Sequence, residues 1–194
     1  MSAVLSLTAP GKGEPFFAHE RTARCPVLTA RLVFVTHDVA ALQLLVPEAE
    51  QLLDAVRGLA GVGLLEPAHV SLGYPWRTAE AADPSVVQAA AARTRGFQVR
   101  FAEVRTFSPD GRGRVLVHVA PDDDEPFHEL ARVVQADLRQ VHLSVARVGK
   151  DGDVAEVVRR VEPLLPLVAT VRLLELTAQC GGVWQPGRRF ALTG

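Results

Sequence analysis

Cysteine is scarce in this chain: Cys25 and Cys180 are the only two in 194 residues. Two thiols exclude a disulfide framework and a zinc site made of four cysteines. An excess of charge of either sign is missing too, with 21 Lys+Arg against 22 Asp+Glu and a formal net charge of -1. That balance excludes bulk electrostatic attraction to nucleic acid and leaves only a local basic groove. No apolar run approaches the roughly 18 residues of a membrane span. Residues 1–13 lack the basic start and long apolar stretch of a secretory signal, so the expectation is a soluble, cytoplasmic chain with no membrane partner. Apolar residues, by contrast, are plentiful at 48%, enough for a folded core without cross-links.

The first 38 residues are broken by Pro10, Gly11, Gly13 and Pro15. Leu28 to Val35 has strand character but no place in the later pattern, so residues 1–38 read as an N-terminal extension of uncertain structure. From residue 39 to 194 the pattern is regular and reads as one domain. Ala40 to Val46 is an apolar run of strand length. Pro47 opens a helix with Ala49, Leu52, Leu53, Val56 and Leu59 on one stripe. Ala68 to Tyr74 reads as a strand, Asp83-Pro84 as a cap and helix start, and Phe97, Val99 and Phe101 as alternating strand positions.

After the Asp110-Gly111 turn the order repeats. Val115, Val117 and Val119 alternate on a strand, and a helix opens near Pro126 with Phe127, Leu130, Ala131, Val134 and Leu138 inward. Val141 to Arg147 is a strand, Val154 to Leu165 a helix, and Val171 to Leu176 and Val183 to Leu192 are strands joined through Gly181-Gly182. This is an internal duplication of about 70 residues, visible as architecture rather than identity. The expected fold is α+β and bilobal, with two antiparallel sheets facing a central groove and helices outside.

One strand in each half carries the same short pattern: His69-Val70-Ser71-Leu72 and His142-Leu143-Ser144-Val145. On a strand, residues two apart share a face, so each half sends one imidazole and one hydroxyl the same way. With six histidines in the chain, chance predicts on the order of 0.1 such patterns. For one histidine the plain alternative is a hydrogen-bonded strand residue; two matched copies argue for chemistry. Breaking a phosphodiester needs one group to take a proton from the nucleophile and another to give one to the leaving oxygen. Imidazole, with a pKa near 6.5, does either. The Ser71 and Ser144 hydroxyls can donate to non-bridging phosphate oxygens. No metal and no cofactor is required.

The paired His-x-Ser-x strands resemble the two-histidine phosphoesterase superfamily. The strings from Pro67 to Trp76 and from His142 to Arg147 are similar to its 2′-5′ RNA ligase branch, over about Val39 to Leu192. The resemblance implies a bilobal fold around a groove. It also implies hydrolysis of RNA 2′,3′-cyclic phosphates to 2′-phosphates, and in some members 2′-5′ ligation. His69 would then be the proton donor and His142 the acceptor. Here Ser stands in both motifs where the family more often has Thr, which keeps the hydroxyl but loses the methyl that stiffens the rotamer.

The expected ligand is an RNA 2′,3′-cyclic phosphate end or a small cyclic nucleotide, taken by a monomer. The alternative is a non-catalytic binder of a phosphorylated ligand or RNA end. Arg147 is a candidate phosphate contact only if the strand bulges or ends near Ala146, because strict alternation turns it away from His142. Tyr74 and Trp76 are candidates for stacking on a base or for packing. His118, between valines, reads as a hydrogen-bonded sheet residue. Asp122, Asp123 and Asp124 read as helix caps rather than metal ligands, and Arg112, Arg114, Arg188 and Arg189 as solvated rather than as a basic rim.

Overall fold

The apolar stripes form the elements that their spacing predicts. The computed structural model describes residues 39–78, 82–180 and 183–194; the strand expected at 28–35 and the join at 181–182 lie outside them. Strand β1 (Val39–Leu45) leads through a single turn of 3-10 helix at Pro47–Ala49 into α1 (Glu50–Val56). There follow β2 (Val62–Leu64), β3 (His69–Thr78), α2 (Pro84–Ala91) and β4 (Phe97–Thr106). The second half holds β5 (Val115–Pro121), α3 (Glu125–Val133), β6 (Leu143–Val148), α4 (Val154–Val161), β7 (Leu167–Val171), β8 (Leu173–Cys180) and β9 (Val183–Ala191). Asp83 caps α2 by accepting from the Ser85 amide, and Asp153 caps α4 by accepting from those of Ala155 and Glu156.

The strands form one antiparallel sheet, not the two expected. Its order is β7-β4-β5-β6-β3-β1-β8-β9, with β2 pairing on β6. The physical reason is one register pair, Val70 with Leu143, which joins β3 to β6 and so links the strands β7-β4-β5-β6 to the strands β3-β1-β8-β9. Three local differences from the sequence pattern follow from turns. Strand β6 starts at Leu143 rather than Val141, and α3 ends before Leu138. The expected strand at 171–176 is cut at Arg172, which separates β7 from β8 and lets them take distant places in the sheet.

One face of the sheet packs against the helices. Leu42, Leu44, Val70, Leu72, Val117, Leu143 and Val145 join Leu52, Leu53, Val56, Phe127, Leu130, Val157 and Val161 in a continuous buried cluster. At roughly 25 cal/mol per Å² of apolar surface, each fully buried Leu or Val contributes about 1.5–3 kcal/mol against leaving it exposed. That core fixes the strands, and the strands fix what the opposite face carries.

Candidate active site

The opposite face is polar where it is buried. Among the described residues the buried polar side chains are Gln43, His118, Ser144, Glu175 and Thr177. Register puts all five on the histidine face: Gln43 pairs with Ser71 and with Glu175, His118 pairs with Ser144, and Thr177 lies two beyond Glu175 on β8.

Antiparallel pairing of Val70 with Leu143 sets His69 opposite Ser144 and Ser71 opposite His142. The two histidines are therefore a diagonal pair, neighbours within reach of long and aromatic side chains. Each imidazole is tied to the carbonyl two residues upstream: His69 Nδ1 to Pro67 at 2.6 Å and His142 Nδ1 to Gln140 at 3.1 Å. A carbonyl only accepts, so Nδ1 carries hydrogen in both rings and Nε2 is the nitrogen that can exchange a proton. The backbone before His69 is held in turn, because Glu50 Oε1 accepts from the Ala68 amide at 2.7 Å.

The two rings sit in different fields. Burial pushes the His69 pKa down, against the Pro67 carbonyl and the carboxylates of Glu175 and Glu50, which favour imidazolium. Burial also pushes His142 down, opposed by the Gln140 carbonyl, and the charge of His69 lowers it further. Carboxylates thus favour a proton on His69, and none acts on His142. Glu175 is itself buried, accepting from Gln43 Nε2 at 2.6 Å and Arg189 Nε at 3.0 Å. Arg189 is therefore paired rather than merely solvated.

Beyond each motif the strand bulges at the same point. On β3 the register steps from Ser71 to Gly73 while β1 advances one residue; on β6 it steps from Ser144 to Ala146 while β5 advances one. Each bulge inverts the alternation that follows it. It turns position 147, paired with Leu116, to the same face as His118 and Ser144. Arg147 is exposed there. The same inversion brings Tyr74 to the histidine face, 63% exposed, with its ring 5.7 Å from that of Trp184. Trp76 is placed otherwise: it packs over Gly73, its Nε1 donates to the Val134 carbonyl at 3.1 Å, and Arg77 covers its ring at 5.0 Å.

His118 is not the hydrogen-bonded sheet residue that its sequence setting predicts. It is 1% exposed, and neither ring nitrogen has a partner. Strand β5 carries it into a space closed by Phe107 and His142. Gln43, Glu175 and His118 were also unmarked as site residues, though each is the one strongly polar residue inside an apolar run. Of the three aspartates, Asp123 accepts from the Glu125 amide at 3.0 Å, and Asp122 pairs with Arg100. Among the described residues no three His, Cys, Asp or Glu side chains are grouped to hold a metal ion, and no helix is long and apolar enough to cross a membrane.

The family model of the 2′-5′ RNA ligase superfamily matches residues 45–182, and the chain belongs to that superfamily. Its fold is similar to that of Escherichia coli LigT crystallised with ATP, at 15% identity and a TM-score of 0.56, covering 81% of this chain and 98% of that one. LigT crystallised with 3′-AMP gives 16% identity and a TM-score of 0.55, over 81% and 99%. A crystal structure described as a phosphoesterase gives 14% and 0.55, over 81% and 100%. No curated protein matches the sequence.

Proposed function

We propose that the chain is a metal-independent phosphodiesterase that opens a 2′,3′-cyclic phosphate, on an RNA end or a small nucleotide, to a 2′-phosphate. The observation that carries the reading is the diagonal of two imidazoles, each anchored at Nδ1 and each facing the other half's serine. Water attacks phosphorus from the His142 side and gives its proton to Nε2. The bond to the ribose 3′ oxygen breaks, and His69 Nε2–H supplies that oxygen with a proton. Ser71 and Ser144 donate to the non-bridging oxygens, where charge gathers in the transition state. The carboxylates near His69 support its role as donor, and the charge of His69 supports a neutral His142 as acceptor. Membership of the 2′-5′ RNA ligase superfamily supports chemistry at a phosphodiester, and 2′-5′ ligation would use the same two groups in the same roles, with an RNA 5′-hydroxyl attacking in place of water. Arg147 reaches a phosphate oxygen, and Tyr74 with Trp184 offers a stacking surface for a base.

The test is hydrolysis of nucleoside 2′,3′-cyclic phosphates with EDTA present, for wild type, His69→Ala and His142→Ala. Wild type turns over and both variants lose activity by several orders of magnitude. Turnover that survives either substitution overturns the assignment.

A further inference from the structure

An unpaired, buried imidazole carries a desolvation cost that a leucine on β5 would not incur. The surroundings of His118 show what its ring does. It stacks on Phe107, with centroids 4.2 Å apart and planes 18° from parallel. Both rings meet His142 close to a right angle, His118 at 5.3 Å and 70° and Phe107 at 5.0 Å and 85°. The third hold on His142 is its Nδ1 bond to the Gln140 carbonyl. Two rings and one hydrogen bond thus restrict the imidazole, and Nε2 is the ring nitrogen outside that bond. His69 has the matching carbonyl tie, but no aromatic ring packs on it among the described residues.

We propose that His118 and Phe107 form a two-ring wall that positions His142, aiming its Nε2 at the attacking water. This rests on His142 being the base. The wall has to be flat and small. A phenyl already fills the outer place, and the five-membered ring is the smallest planar group that stacks on it within the β5–β6 register, where His118 faces Ser144. It also has to be uncharged, because His142 becomes an imidazolium as it takes the proton. Burial, with the charges of His142 and Arg105, holds His118 at about 4, and the Leu116 carbonyl pulls the other way without reaching hydrogen-bond geometry at either nitrogen. Near-attack geometry is sensitive to small displacements of the base, so loss of the wall lowers the rate of the chemical step and not the binding of substrate.

Three variants test this: His118→Leu, His118→Phe and Phe107→Leu. His118→Leu removes the wall and the unpaired nitrogens together, so it melts at or above the wild-type temperature. Its kcat falls about tenfold or more and its KM holds. His118→Phe keeps a ring and restores most of kcat. Phe107→Leu, at a partly exposed position, repeats the loss if His118→Leu folds poorly. The readout independent of turnover is the His142 imidazole NMR resonance, which lies in the ring currents of both wall rings and shifts and broadens when either is removed. If wild type hydrolyses no cyclic phosphate but the resonance responds, the proposed function fails and the wall stands. A wild-type kcat in His118→Leu with an unmoved His142 resonance overturns the wall.

Discussion

Val70 pairs with Leu143, and that one rung sets His69 across from Ser144 and Ser71 across from His142. Each half of the chain therefore contributes one imidazole and one hydroxyl to the shared face. Shifting β3 against β6 by one residue would send His69 or His142 to the helix-packed face, so the core that fixes register also fixes the chemistry.

The hydroxyls come first among the predictions. Ser71→Ala and Ser144→Ala should each lower kcat/KM by roughly 10²-fold, the usual effect of losing one donor to a transition-state oxyanion. Ser71→Thr and Ser144→Thr should keep most of the activity. Steady-state kinetics on a cyclic-phosphate nucleotide checks all four, and alanine variants with unchanged kcat/KM would remove the serines from the mechanism.

The pH profile follows from the two fields. Activity needs His142 neutral and His69 protonated, so the acid limb reports His142 and the basic limb His69. Burial holds both below 6.5 in the free protein. The kcat/KM profile should therefore be a bell centred below pH 6.5. A bound phosphoryl group favours both imidazoliums, so the kcat profile should lie at higher pH. A kcat/KM optimum above pH 7.5 contradicts the assignment.

Glu175 should control one limb only. Its carboxylate favours imidazolium at His69, so Glu175→Gln lowers the pKa of His69 and moves the basic limb to lower pH, while the acid limb stays. Movement of the acid limb instead would mean that Glu175 serves His142.

The rim residues should separate by type of effect. Tyr74→Ala should raise KM about tenfold for a substrate with a base to stack and leave kcat near wild type. Arg147→Ala should raise KM for all phosphates and flatten the salt dependence. Trp76→Phe should leave both constants alone and lower stability by about 0.5–1.5 kcal/mol, because it loses the hydrogen bond to Val134. Kinetics and thermal melting on the three variants distinguish these outcomes.

The His-x-Ser pairs were legible because period-two alternation is a backbone property that no tertiary contact changes before the bulge. The apolar stripes of α1 and α3 and the Asp83-Pro84 start of α2 were legible for the same local reason. Strand β2 was not, since Val62–Leu64 is three residues with a glycine in the middle and exists only by pairing with β6. The break at Arg172 was hidden inside an unbroken apolar pattern. Glu175 and His118 carried a signal that strand alternation alone leaves ambiguous: one polar residue in an apolar run is either an error in the core or a member of a polar face. Only the sheet order, which brings β8 beside β1 and β5 beside β6, decides between them.

The extra residue after each motif, at Leu72 and at Val145, works as a change of phase. Upstream of it the groove is addressed by odd numbers on β3 and even numbers on β6; downstream the parity is exchanged. Deleting Leu72 or Val145 would remove the bulge together with the residue, so plain alternation would still leave Tyr74 and Arg147 on the histidine face, one residue nearer to the serine. The bulge thus sets the reach from serine to rim, an offset along the groove that no substitution at the rim itself could reveal.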